Sequence, residues 1–79
     1  MLIKIRFSEG ISDFTYKEKT ALSGLKLEKT DSDSLLKYKF ETDNVSEVFS
    51  MITSLGYRNK LILGSSKSEG KFCIMELSK

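Results

Sequence analysis

One stretch of the chain, residues 42–56, constrains the fold most, because it combines helical periodicity with signals at both ends. Its apolar side chains recur at the spacing of one helix face, and polar side chains take the opposite side. Asn44 and Glu47 stand three apart, as in a capping box, and Gly56 offers a left-handed termination. The sequence therefore predicts one amphipathic helix, whose apolar face consists of Val45, Val48, Phe49, Ile52 and Leu55, with Met51 at the flank.

The polar face of this predicted helix carries a single charge, Glu47, beside four serine or threonine side chains. A neutral face of this kind can dock against another chain without desolvating ions. The ordinary alternative is that it meets water. Both interpretations stay open at this point.

Alternation of apolar and polar residues predicts strands before the helix. Residues 2–7 place Ile3, Ile5 and Phe7 on one face, which is typical of a strand buried on one side. Weaker alternation predicts further strands at residues 14–19, 22–29 and 35–41, after a turn at residues 8–13. Short polar side chains at residues 30–34 predict the turn of a hairpin.

A last hairpin is predicted from residues 58–65 and 71–77, and both of its faces are apolar. Phe72 and Ile74 alternate with Cys73, Met75 and Leu77. One helix covers only one face of a sheet, so this hairpin needs a second cover. The candidates are residues 8–23 folding back over it, or a second copy of the chain. We predict a homodimer through the face formed by Cys73, Met75 and Leu77.

These elements predict a single α+β domain spanning residues 1–79. The expected architecture is an antiparallel sheet of five to six strands with one helix on one face, in the order β-β-β-β-α-β-β. A chain of 79 residues buries a small core, so a partner or self-association would add stability.

The sequence excludes several kinds of chemistry. It has no histidine and one cysteine, which rules out the usual zinc sites and any imidazole base. The loop between Gly64 and Gly70 has the wrong spacing for a phosphate-binding loop and leads into a strand. Asp31 and Asp33 match only the start of a calcium loop. Cys73 lies between apolar neighbours and is interpreted as buried and inert. We expect no metal, no cofactor and no enzymatic activity.

Basic residues mark the opposite face of the early strands. If these strands are neighbours, their cations form a patch suited to phosphates or an acidic protein surface. The alternative is an ordinary lysine-rich solvated face. Tyr57 is the one candidate platform for stacking a base. The candidate binding residues are Lys4, Arg6, Lys26, Lys37, Lys39, Tyr57, Arg58 and Lys60.

Together these features predict a small non-enzymatic binding protein, such as an inhibitor or antitoxin-like accessory factor, that acts by occupying a protein surface. The alternative is a protein that binds RNA or single-stranded DNA through its basic sheet face. Eleven lysines against two arginines suggest an AT-rich bacterial or phage genome. One cysteine and short apolar runs predict a cytoplasmic location without a membrane span.

Overall fold

The computed structural model describes residues 1–30 and 36–79, and it has the α+β fold that the sequence predicts. The strands within these residues are β1 (Leu2–Phe7), β2 (Glu28–Lys29), β3 (Leu36–Glu41), β4 (Arg58–Ser66) and β5 (Gly70–Ser78). The helices are α1 (Tyr16–Ala21) and α2 (Val45–Ser54), with a 3₁₀ turn at Ser23–Leu25.

All five strands belong to one sheet in the order β2-β3-β1-β5-β4. β1 lies at its centre, antiparallel to β3 and parallel to β5. The prediction of an entirely antiparallel sheet is therefore wrong at one pairing. The β4–β5 hairpin reverses the chain once more, so β5 returns to the centre in the same direction as β1.

The core lies on one face of this sheet. Ile3 and Ile5 of β1 and Met75 and Leu77 of β5 are fully buried there. α2 contributes Val48 and Ile52 to the same cluster, which identifies the helix face that the apolar spacing predicts. The alternation read from the sequence thus correctly separates buried from solvent-facing residues in β1.

α2 confirms the predicted helix, with caps at both ends. The Asn44 side chain accepts a hydrogen bond from the backbone N–H of Glu47 at 3.0 Å. The Glu47 carboxylate accepts from the Asn44 side-chain amide at 3.3 Å, in place of the backbone N–H that a full capping box uses. Gly56 follows with φ of +100°, a conformation that favours glycine.

The strand predicted at residues 14–19 is wrong, because these residues contain the start of α1. The Thr15 side chain accepts from the backbone N–H of Glu18, and the Glu18 carboxylate accepts from the backbone N–H of Thr15. This reciprocal pair is a capping box, which stabilises the first turn of a helix. Phe14 is buried, whereas Tyr16 is 86% exposed.

The strand predicted at residues 22–29 is also mostly wrong, since only Glu28–Lys29 pairs with β3. The 3₁₀ turn at Ser23–Leu25 and a left-handed conformation at Lys26, with φ of 52°, interrupt it. The pairing with β3 does run antiparallel, as the predicted hairpin requires. The predicted turn beyond Thr30 and the partial calcium-loop pattern of Asp31 and Asp33 lie outside the described residues.

Two tyrosine–carboxylate pairs attach the segment around α1 to the sheet. Tyr38 donates to Asp13 at 2.5 Å, and Tyr57 donates to the buried carboxylate of Glu18 at 2.6 Å. Phe14 packs between the two tyrosine rings, with centroid distances of 5.7 Å to each. Residues 8–23 therefore fold back over the core face, which α2 also covers. The prediction that they cover the second face of the hairpin is wrong.

The pairs shift the acidity of their members. Burial alone raises the pKa of the Glu18 carboxyl, but hydrogen bonds from Tyr57, Thr15 and Lys79 outweigh it and hold the pKa below its ordinary value. The pKa of Asp13 is lowered in the same way by Tyr38 and Lys19. Burial and the bond to Asp13 raise the pKa of Tyr38 to about 12. Both carboxylates are thus ionised acceptors at neutral pH.

Candidate interaction surface

The sheet face opposite the core, called the open face below, is the main candidate for an interaction surface. The buried residues of α1 and α2 belong to the core side, so within the described residues neither helix packs on the open face. Strand alternation and register place on it Leu2, Lys4, Arg6, Lys39, Lys60, Ile62, Phe72, Ile74 and Glu76.

An apolar strip runs across the β1, β5 and β4 part of the open face. Lys4 pairs in register with Ile74, and Ile74 pairs with Ile62. Leu2 pairs with Phe72, which pairs with Gly64. Strip residues Leu2, Ile62, Phe72 and Ile74 are all partly exposed. This strip therefore includes the second apolar face that the sequence predicts for the last hairpin.

Lys4 and Phe72 form the best-defined contact of the open face. The Lys4 ammonium lies 4.1 Å from the centroid of the Phe72 ring and 2.6 Å from the Glu69 carboxylate. The hydrogen bond from Lys4 holds the pKa of Glu69 below its usual value. The same ring fills the space beside Gly64, where a Cβ atom would be 2.6 Å from Cε1 of Phe72. The charge of Lys4 is therefore already matched inside the molecule.

The charge of Arg6 is also paired within the molecule. Its guanidinium forms a salt bridge with Glu76 on the neighbouring strand β5. Lys60 of β4 is the register partner of Glu76 on the other side, but it forms no salt bridge with this carboxylate. At the centre of the predicted basic patch, Lys4 and Arg6 are therefore each paired with a carboxylate.

The remaining predicted site residues are dispersed. Lys39 is on the open face beside Glu28, its partner in register on β2. Lys37 is exposed on β3, next to the irregularity at which the β1–β3 register shifts. Lys26 lies in the connection to β2, and Arg58 begins β4 at the opposite edge. The structure brings together Lys4, Arg6 and Lys39, and Lys26 lines the same groove as Lys39. Arg58 lies apart from them at the opposite edge.

The prediction that Tyr57 is a platform for stacking a base is wrong, because its ring is buried. It is 3% exposed and packs against Phe7 and Phe14, while its hydroxyl group is taken by Glu18. Lys79 covers the ring, with its ammonium 4.1 Å from the centroid. Tyr57 therefore has a structural role, and Phe72 is the aromatic side chain of the open face.

The face formed by Cys73, Met75 and Leu77 is not available to a second copy of the chain. All three side chains are in the core, with exposures of 3%, 0% and 0%. The predicted dimer contact through this face is therefore wrong, since the chain's own core occupies it. Burial raises the pKa of the Cys73 thiol, in agreement with the predicted inert cysteine.

Two shallow grooves flank the charged part of the open face. One, of about 570 Å³, runs from Leu2 past Lys39 to Leu25, and the other, of about 420 Å³, lies between Lys4 and Lys29. Over residues 1–30 and 36–79, no cluster of three or more acidic or cysteine side chains is arranged to hold a metal ion. In the same residues no helix has the length and apolar character needed to cross a bilayer.

Comparisons of the chain with protein-family models, with curated protein sequences and with solved structures found no match. The site is therefore assigned from its own geometry. Sequence reasoning missed the ion pairs of Lys4 and Arg6, because their partners are 65 and 70 positions away along the chain. In the sequence the strip is indicated by Phe72 and Ile74, which are apolar, stand two positions apart and therefore lie on the same face of a strand.

Proposed function

We propose that the chain is a small, non-enzymatic protein-binding module that docks a protein partner on the open face of its sheet. In this proposal it acts in the cytoplasm as an inhibitor or antitoxin-like accessory factor of a bacterium or phage. The observation that carries the proposal is the apolar strip of Leu2, Ile62, Phe72 and Ile74 on a sheet face that neither α1 nor α2 covers.

The charges around the strip support a protein partner over a polyanion. Lys4 and Arg6 are neutralised by Glu69 and Glu76, so docking an apolar surface there does not bury an unpaired charge. An apolar centre with a polar rim is the usual anatomy of a protein–protein interface. A partner with apolar side chains at the centre of its contact surface fits this arrangement best.

The test places a photocrosslinking amino acid at Ile74 in the centre of the strip, in cells that naturally carry the chain. The control carries it at Thr53, on the exposed side of α2. We expect a discrete protein adduct from position 74 that is absent from position 53 and is lost when Leu2→Lys adds a charge to the strip. No adduct from position 74, or equal adducts from both positions, would overturn the proposal.

Nucleic-acid binding is the second candidate, and exposed cations favour it. Lys37, Arg58 and Lys60 form no salt bridge with any described carboxylate. Binding through these cations and Lys39 would weaken steeply between low and moderate salt and would be lost in Lys37→Glu/Lys39→Glu. Fluorescence anisotropy with a labelled single-stranded RNA measures both effects. Salt-independent anisotropy, or no effect of the double substitution, removes this candidate.

A further inference from the structure

Within residues 1–30 and 36–79, β4 forms one edge of the sheet and pairs on one side only, with β5. It has nine residues, Arg58–Ser66, which extend about 30 Å. The backbone N–H and C=O groups along the outer side of an edge strand are a template for another strand. The β4–β5 register continues from Arg58↔Ser78 to Ser66↔Gly70 without a shift, so no bulge turns this edge away.

The two edge strands of the sheet differ in the features that prevent pairing with a strand of another chain. The opposite edge, β2, has only Glu28–Lys29, both charged and exposed. Short, charged edge strands prevent sheets from pairing with one another. β4 has neither proline nor charge through its centre, residues 61–64. This contrast indicates that β4 is the edge at which a further strand can pair with the sheet.

The central side chains of β4, residues 61–63, are apolar on both faces of the sheet. Leu61 and Leu63 point to the core side but extend past its cover, with exposures of 46% and 80%. Leu61 lines a groove of about 270 Å³ together with Val45 and Phe49 of α2. Ile62 points to the open face and ends the apolar strip at this edge. A strand added here would bury apolar surface above and below the sheet.

We propose that β4 pairs antiparallel with β4 of a second copy, about a two-fold axis at Ile62. Ile62 is the midpoint of Arg58–Ser66, so this register pairs all nine residues of each strand. Leu61 then faces Leu63 of the second copy, Lys60 faces Gly64, and Arg58 faces Ser66. No like charges oppose each other, and a two-fold interface of this kind is closed.

Self-complementarity is what favours a second copy over a foreign strand. The two-fold axis places Leu63 of one copy beside Leu61 of the other, next to the groove that Phe49 lines, and it does so twice. It also joins the two apolar strips at Ile62 into one surface. The proposed function does not depend on this dimer, because the strip exists in each copy.

Light scattering with size exclusion tests the oligomeric state of the purified chain. We expect a mass of twice 9.0 kDa. Leu63→Lys should raise the dimer dissociation constant about tenfold or more. The matched control is Tyr16→Lys, which also replaces an exposed apolar side chain but lies on α1, and it should leave the mass unchanged.

Single cysteines test the register. With the axis at Ile62, the two Cα atoms at that position lie about 4.5–5.5 Å apart, which is within the range that a disulfide spans. Ile62→Cys should therefore form a disulfide dimer under mild oxidation. Lys60→Cys should not, because its two copies lie about 14 Å apart. Cys73 is buried and stays in both variants.

A mass of one chain at the highest attainable concentration would overturn the dimer. Equal crosslinking at positions 60 and 62 would overturn the register. Neither result affects the adduct expected from Ile74, so the failure of this inference and that of the proposed function are distinguishable.

Discussion

Gly64 illustrates how one residue shapes the open face. The Phe72 ring fills the space beside Gly64, and the Lys4 ammonium lies over the same ring. A glycine within a strand ordinarily weakens it, because it has no side chain to pack. Here the missing side chain provides the space for the aromatic ring, which covers the glycine in turn.

Gly64→Ala should therefore destabilise the protein, although alanine restricts the unfolded chain more than glycine does. The new Cβ would stand 2.6 Å from Cε1 and 2.8 Å from Cζ of Phe72, so the ring must move. Overpacking of this kind costs about 1–3 kcal/mol. Urea denaturation followed by circular dichroism measures the loss.

Gly24→Ala is the matched control, since Gly24 has open space around its Cβ position and no positive φ. We expect it to be neutral or slightly stabilising. If Gly64→Ala is as stable as Gly24→Ala, the Phe72 ring does not depend on the glycine.

α1 is the element that sequence periodicity predicts least well. With six residues it is too short to show a helical repeat. Phe14, Tyr16 and Glu18 alternate in the sequence as in a strand, but Tyr16 is exposed whereas Phe14 and Glu18 are buried. The local signal was the capping box of Thr15 and Glu18, which is visible in the sequence as threonine and glutamate three apart. α2 was predictable because its ten residues repeat the apolar pattern and carry caps.

The tyrosine–carboxylate pairs make the attachment of α1 dependent on pH. The folded-state pKa values of Asp13 and Glu18 are lowered, so their contribution to stability is present above the unfolded pKa values of about 4 and is lost as the pH falls through the folded ones. The free energy of unfolding should therefore decrease from pH 6 toward pH 3, at fixed salt.

Tyr57→Phe should reduce this decrease, because it removes a hydrogen bond that the ionised Glu18 receives. At neutral pH the variant should lose about 1.5–3 kcal/mol, the usual contribution of a hydrogen bond to a charged group. Tyr16→Phe is the control, since the Tyr16 side chain is exposed. Urea denaturation across the pH range measures both. An unchanged pH dependence in Tyr57→Phe would show that this pair does not couple α1 to the sheet.

At the scale of the whole molecule, the sheet is centred on β1. Each of its neighbours, β3 and β5, pairs with it over most of its length, whereas β2 contributes two pairs at the edge. Amides in β1 should therefore exchange hydrogen only on global unfolding, and those of β2 by local opening.

Native-state hydrogen exchange measured by NMR tests this order. The amides of Lys4 and Ile5 should show the highest protection, and the amide of Lys29 should be among the least protected within the sheet. Protection at Lys29 equal to that at Ile5 would mean that the sheet opens as one unit.

The alternation in the sequence predicts which face of each strand is buried, but it does not predict the order of the strands in the sheet. Alternation identifies Ile3 and Ile5 as buried, and it does so whether β1 pairs with parallel or antiparallel neighbours. The pairing of β1 with β5, and the ion pairs of Lys4 and Arg6, bring together residues from opposite ends of the chain. No local pattern specifies such contacts. The sequence therefore predicts a more positive patch than the structure has, because Glu69 and Glu76 pair with two of its cations.

The parallel pairing of β1 and β5 also determines how the fold resists mechanical force. β1 begins at the same end of the sheet as the first paired residue of β5, and the six pairs run from Leu2↔Phe72 to Phe7↔Leu77. Tension applied between residues 1 and 79 therefore pulls the two strands along each other in opposite directions. All the hydrogen bonds between them are loaded together in shear, whereas the β4–β5 hairpin, if pulled open at its ends, would separate one pair at a time.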